Sequence, residues 1–394
     1  MLQILKQNKN FRNFFFATNI NIIGDYIDDI AMAQLIFEIT KSTLLMSYVF
    51  AIKIILSFLS IFTATYVDKH NKKNLLILTS FGQGIILIIL FFLYSTDCLS
   101  TGLLILFVTI QTLFSTFSIP AQNAILPYIV SDDDTLNARS LMNMFIQMIQ
   151  VFSYMCSGVI ISFIGITGAI GLDSITFFVS ILFLSGIKIK DNAEYGFASS
   201  KNFFINVKNG FAFVVNTKII LGILLVTFLG NMFTAPIDSL MPAYFSQSNY
   251  HSSSYSIFMV GIALGSLIGS VLLTKIRKYI SNNTLFSSGF LLGGTGIILL
   301  GLNIGIFPYI ASFIIGISYG FISILNATII QINTPKEMIA RTFSIFKCIS
   351  YISGPLGILI AGFVGEFFPM NIIFIPFGIL LIITSFLCTQ LLKS

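Results

Sequence analysis

Apolar runs of about 20 residues, separated by short polar loops, recur from one end of the chain to the other. Runs of that length suit helices that cross a bilayer, whereas strands of a membrane barrel are roughly half as long. Twelve segments can be placed, at about 14–37, 43–67, 75–95, 101–122, 138–163, 167–188, 218–246, 253–274, 284–303, 306–331, 341–365 and 370–391. The pattern predicts an all-α membrane protein with twelve transmembrane helices.

Lys and Arg set the expected orientation, because cytoplasmic loops carry the excess of basic residues. With the N-terminus inside, nineteen of the 21 basic residues fall on the cytoplasmic side, Lys41 falls outside and Lys53 lies within the second segment. Both termini are therefore expected in the cytoplasm. The longest loop, about 189–217, places Phe204, Val207 and Phe211 at helical spacing between lysines. That spacing predicts an amphipathic helix drawn to anionic headgroups, with a partner-binding helix as the other reading. The expected domains are a six-helix bundle over 1–188, a cytoplasmic linker over 189–217 and a second six-helix bundle over 218–394.

The halves repeat one another. Asn123-Ala124 precedes a polar turn and then Ala138-Arg139, and Asn326-Ala327 precedes a turn and then Ala340-Arg341. The charged loop of Asp68, Lys69, Lys72 and Lys73 recurs as Lys275, Arg277 and Lys278. Two pseudo-symmetric bundles in parallel repeat form a transporter architecture.

Composition narrows the function. The chain is 56% hydrophobic and 9% charged, far below the roughly 25% charged of soluble domains. Its net charge of +6 is scattered through loops, so nucleic acid is not an expected partner. The first segment is too long for a signal-peptide core and lacks a small-residue cleavage site, so it is expected to remain as a span. Cys98, Cys156, Cys348 and Cys388 form no CxxC, and His70 and His251 lie in opposite halves. Neither a disulfide nor a metal site is expected. No phosphate-binding GxxxxGK[ST] and no nucleophile–base set is present, so no enzyme activity and no cofactor are expected.

The candidate chemistry is acidic. Asp25, Asp28 and Asp29 sit near the middle of the first segment at i, i+3 and i+4, on one helix face. Each costs on the order of 2.5–3.5 kcal/mol at the centre of a membrane helix. Lys53 falls at a comparable depth, about 15 Å from the outer surface, and is expected to pair with Asp28 or Asp29. That pair is either a structural tie between the first two spans or part of a site in which the remaining acids bind a proton or a cation. Asp25 is the leading titrating candidate. Asp173 and Asp238 are expected either to line an outer gate or to act as helix-end carboxylates, with the helix broken between Pro236 and Pro242. Asn143, Gln147 and Gln150 form a neutral stripe at i, i+4 and i+7 that faces either a cavity or neighbouring helices. Gly261, Gly265 and Gly269, four residues apart, predict close helix packing.

The loop Ala64-Thr-Tyr-Val-Asp68-Lys69-His-Asn71-Lys72-Lys73 resembles the G-x-L-x-D-R-x-G-R-K motif of the major facilitator superfamily. Ala64 and Asn71 stand for its glycines and the charge pattern is kept. Within that superfamily the chain is most similar to the macrolide-efflux and enterobactin-exporter branch. The likeness lies in Gly24-Asp25, in Ser118 to Pro127 with Asn137-Ala138, in Asp173 to Phe177, and in Gly354-Pro355-Leu-Gly357 with Ala361-Gly362. The resemblance implies that Asp68, Lys69, Lys72, Lys73, Arg139 and Arg341 act in a charged cytoplasmic gate. It also implies a monomeric, proton-driven exporter of an amphipathic compound in the cytoplasmic membrane, surrounded by lipid. A siderophore or metabolite carrier and a non-transporting sensor with the same fold are the alternatives.

Overall fold

The computed structural model describes residues 3–188, 211–248, 250, 253–335 and 338–391, and every regular element among them is a helix. In order these are α1 (Gln3–Gln7), α2 (Lys9–Thr40), α3 (Thr43–Ser57), α4 (Ser60–Asp68), α5 (Lys72–Ser95), α6 (Thr101–Ile129) and α7 (Asp132–Ser185). They are followed by α8 (Lys218–Gln247), α9 (Ser254–Ile276), α10 (Asn282–Leu302), α11 (Phe307–Asn333), α12 (Ile339–Val364) and α13 (Met370–Leu391). Among the described residues, ten helical stretches are long and apolar enough to cross a membrane, α3 and α4 counting as one. This is a multi-pass membrane protein. Helix α2, with its aspartates, is not among the ten, and α7 is broken at Gly165, whose φ of 70° only glycine adopts readily. Of the linker helix expected from Phe204, Val207 and Phe211, residues 211–216 are described and helical, with Phe211 exposed, whereas Phe204 and Val207 lie outside the described residues.

The chain forms two compact units: Met1–Thr40 with Ile55–Ala198, and Lys41–Ile54 with Ser199–Ser394. In the first, α2 packs along α7, and α5 packs on α6 and α7. One end of this unit is an apolar core of Phe11, Phe14, Phe15, Val67, Leu76, Ile125, Leu141 and Leu184. In the second, α9 packs on α11 and α10 on α13. A methyl group on Gly265 would lie 2.3 Å from the Phe313 carbonyl, and one on Gly316 would lie 2.3 Å from the Ile262 carbonyl. The two backbones touch, as small residues permit in a membrane where dispersion rather than water exclusion joins helices.

The helix break expected between Pro236 and Pro242 does not occur; α8 runs unbroken through both. Membrane helices tolerate proline where a neighbour attends to the carbonyl that the missing N–H leaves free. Pro236 frees the Met232 carbonyl, and Gly357 of α12 packs on that oxygen. Pro120 in α6 likewise frees the Thr116 carbonyl, which accepts a hydrogen bond from Thr63 Oγ1 of α4.

Glu366, in the turn between α12 and α13, holds the start of α3. Its Oε1 accepts from the Leu44 N–H at 2.9 Å, from Ser42 Oγ and from Thr43 Oγ1 at 3.3 Å. A carboxylate that satisfies free amide donors at a helix N-terminus also meets the positive end of its dipole. The Leu44 N–H and then the Ser42 hydroxyl hold the Glu366 carboxyl below its ordinary value. A depressed folded value gives stability that is complete above the unfolded value, near pH 4.3, and is lost as pH falls through the folded value. Glu366→Gln is therefore expected to lower the thermal midpoint of the detergent-solubilised protein at neutral pH, with the gap closing at acid pH. A gap that stays constant with pH would show that the charge contributes nothing.

Candidate functional site

The acids of α2 divide by environment. Asp28 is buried at 6% exposure, whereas Asp25 and Asp29 are exposed. A three- or four-residue step keeps all three on one face, and the small rotation between them turns Asp28 into the bundle. Beside them Gly24 has no side chain, and the space is filled from α7. A methyl group there would lie 2.1 Å from Asp173 Oδ1 and 2.3 Å from Thr176 Oγ1.

Asp173 is 0% exposed. Thr176 Oγ1 donates to its backbone carbonyl at 2.7 Å and lies 3.0 Å from Oδ1, while Oδ2 has no hydrogen-bond partner among the described residues. The Asp173 carboxyl lies within electrostatic reach of Asp28, Asp25 and Asp29. The sequence reading set Asp173 apart from these acids, at an outer gate or helix end. The structure brings it against Gly24 and makes a four-carboxylate cluster. Tyr26 borders the cluster, and its ring meets Tyr154 of α7 edge-on at 5.2 Å. The signal for Asp173 was present as Gly24, a glycine in the middle of an otherwise side-chain-rich helix face, but nothing in the sequence tells which helix fills the gap.

Lys53 is half-buried and lies in the 41–54 stretch of the second compact unit, whereas the aspartates belong to the first. Asn143 and Gln147 are exposed and Gln150 is half-buried on α7.

The charged loop ties helix ends together. Lys72 is 3% exposed; its Nζ donates to the Asp68 carbonyl at 2.8 Å and stands 5.2 Å from the Tyr128 ring centre. A cation at the first residue of a helix is unfavourable, but here it reaches back to the C-terminus of α4, where the dipole is negative. Lys73 Nζ donates to the carbonyls of Ser185 at 2.8 Å and Ile187 at 2.7 Å, at the end of α7. Asn71 caps α5 by accepting from the Asn74 N–H at 3.2 Å. Asp68, Lys69 and Arg139 are exposed, and Arg341 is half-buried with Nη1 3.5 Å from Met338 Sδ.

The second unit holds a separate polar cavity of about 390 Å³ between α8, α10, α11 and α12. Asp238, Tyr319, Asn326, Asn231, Ser350 and Thr234 line it, with Phe290 and Ile322 as apolar walls. Asp238 therefore faces a cavity inside the unit. The Tyr319 hydroxyl lies 3.4 Å from Asp238 Oδ1, and Asn231 Nδ2 donates to Ser350 Oγ at 2.9 Å.

Residues 5–392 match a family profile described as "Transmembrane secretion effector". Among curated proteins, the chain is 24% identical to an uncharacterized MFS-type transporter, YkuC of Bacillus subtilis, over 84% of this chain and 80% of that protein. It is 23% identical to macrolide efflux protein A of Streptococcus pyogenes, over 82% and 81% of the two chains. Among solved structures it resembles a point mutant of the nucleoside transporter NupG, with a TM-score of 0.80 at 11% identity over 97% and 99% of the chains. That last likeness is one of fold.

Proposed function

This chain belongs to the major facilitator superfamily of transporters, and on that premise we propose that it is a secondary exporter of amphipathic, macrolide-like small molecules, driven by protons. The carrying observation is the cluster of Asp25, Asp28, Asp29 and Asp173, packed through Gly24. Four neighbouring carboxylates, two of them buried, repel one another, and a bound proton or a cationic substrate relieves that repulsion. Protonation then lets the carrier switch between states open to either side. Similarity to macrolide efflux protein A supports the substrate class and the outward direction.

In this reading the chain crosses the membrane twelve times: the ten stretches, α2, and a second crossing within α7. The 52 residues of Asp134–Ser185 would otherwise form a rod about 78 Å long against a core about 30 Å thick. Two six-helix bundles over 1–188 and 218–394, joined by the 189–217 linker, would form its domains, with both termini in the cytoplasm. The loop lysines would latch the cytoplasmic ends, a role supported by the Lys72 and Lys73 bonds to helix termini.

The test is transport of a radiolabelled macrolide into proteoliposomes under an imposed pH gradient of either sign. Accumulation is expected only when the gradient drives protons against the movement of the macrolide, and it should collapse with an uncoupler. Uptake that ignores the pH gradient and follows a sodium gradient would overturn proton coupling.

A further inference from the structure

The cavity of the second unit is lined by one carboxylate with hydroxyl and amide groups, and by no fixed positive charge among the described residues. Asp238 supplies a carboxylate, and Tyr319 lies 3.4 Å from it, longer than an ordinary O–H···O bond of about 2.7–2.8 Å. Asn326 Oδ1 and Thr227 Oγ1, both from residues lining the same cavity, are buried with no hydrogen-bond partner among the described residues. The Asn231 amide is already committed to Ser350. Among the described residues, no Lys, Arg or His lines the cavity. Buried acceptors without donors are destabilising, and native structures keep few of them without a reason. What the cavity lacks is a compact positive group bearing N–H donors.

We propose that this cavity is a subsite for a protonated amine of a transported or inhibitory ligand, with Asp238 as the counter-charge and Tyr319 and Asn326 as orienting acceptors. An ammonium can donate to all three with its own N–H groups and gives the Asp238 carboxylate, which is exposed, a counter-charge. A volume of about 390 Å³ is near the lower end of the roughly 300–1,000 Å³ of ligand pockets, so it admits an amine headgroup with a small ring. Phe290 and Ile322 provide the apolar surface against which the attached carbons lie. Gly230 makes this wall possible, since a methyl group there would lie 2.5 Å from the Phe290 ring edge. The subsite needs no contribution from the α2 acids and does not depend on which ion drives transport.

The experiment is calorimetric titration of the full-length protein in lipid nanodiscs, at one pH and without a gradient. The probes are 4-phenylbutylammonium and its neutral counterpart 4-phenylbutanol. Asp238→Asn is expected to weaken ammonium binding at least about tenfold, the scale of a charge-assisted hydrogen bond, while binding of the alcohol stays unchanged. Tyr319→Phe, which keeps the ring and the packing, is expected to weaken the ammonium alone by about threefold to tenfold. Equal loss of both probes in Asp238→Asn would mean that the cavity had merely deformed, and would overturn the proposal. So would loss in Asp25→Asn with wild-type affinity in Asp238→Asn, or competition by NaCl that equimolar KCl does not reproduce, which would mark a sodium site. Gradient-driven macrolide transport is measured separately, so a failed subsite leaves the proton-coupled reading intact, and the converse also holds.

Discussion

Asp25→Asn is expected to abolish pH-gradient-driven accumulation of substrate, reducing it to the level of protein-free vesicles. Exchange of labelled for unlabelled substrate without a gradient should survive. The substitution keeps the shape of the side chain and removes only its charge and its capacity to bind a proton. Of the four clustered acids, Asp25 and Asp29 are exposed while Asp28 and Asp173 are buried. A coupling proton has to arrive from water and leave to it, which favours an accessible acid. Of the two accessible acids, Asp25 adjoins Gly24, where α7 makes its contact through Asp173 and Thr176. A charge change at Asp25 is therefore felt between α2 and α7, as a switch requires. Asp25→Glu restores a titrating group about one methylene longer and should recover part of the accumulation. Accumulation by Asp25→Asn equal to wild type would sink the assignment, and loss of exchange as well would reassign Asp25 to substrate binding.

What the sequence made legible follows from how local each signal is. Apolar runs report on spans because the bilayer sets their length, and the i, i+3, i+4 spacing of Asp25, Asp28 and Asp29 needs only one helix to be read. The spacing of Gly261, Gly265 and Gly269 likewise announced a close approach, and the helix it meets is α11, through Ser312, Phe313 and Ile317. The contacts that were not legible join distant segments. Ser42 and Glu366 are 324 residues apart in sequence, and no periodicity links them. The contact of Asp173 with Gly24 is of the same kind, because depth along a helix can be estimated from sequence, whereas the direction a side chain faces cannot. The run from Pro236 to Pro242 was misread for a related reason. Proline's cost to a helix is local, but the contact that offsets it comes from Gly357 on another helix.

Gly357→Ala should accordingly be among the most damaging single methyl additions in the second unit. The added carbon would lie 1.8 Å from the Met232 carbonyl oxygen, 2.7 Å from its carbon and 3.0 Å from Cα. All three are backbone atoms of α8, so no side-chain rotation relieves the overlap, and α8 and α12 must separate. Separation also uncovers the carbonyl that Pro236 leaves without an N–H, in a medium with no water to replace the contact. Overpacking of this kind costs typically 1–3 kcal/mol and more when backbone must move, so a loss of about 3 kcal/mol is expected. For a unit of this size that corresponds to a fall in the thermal midpoint of roughly 6–12 °C. Gly354→Ala is the control on the same helix. Its added carbon meets only the Ala235 Cβ at 3.7 Å and the Ile54 Cδ1 at 3.9 Å, ordinary contacts. It should be neutral or slightly stabilising, since alanine is the better helix former by up to about 1 kcal/mol. Thermal unfolding of both variants in the same detergent decides the matter: equal midpoints would mean that α8 and α12 do not meet through the Met232 carbonyl.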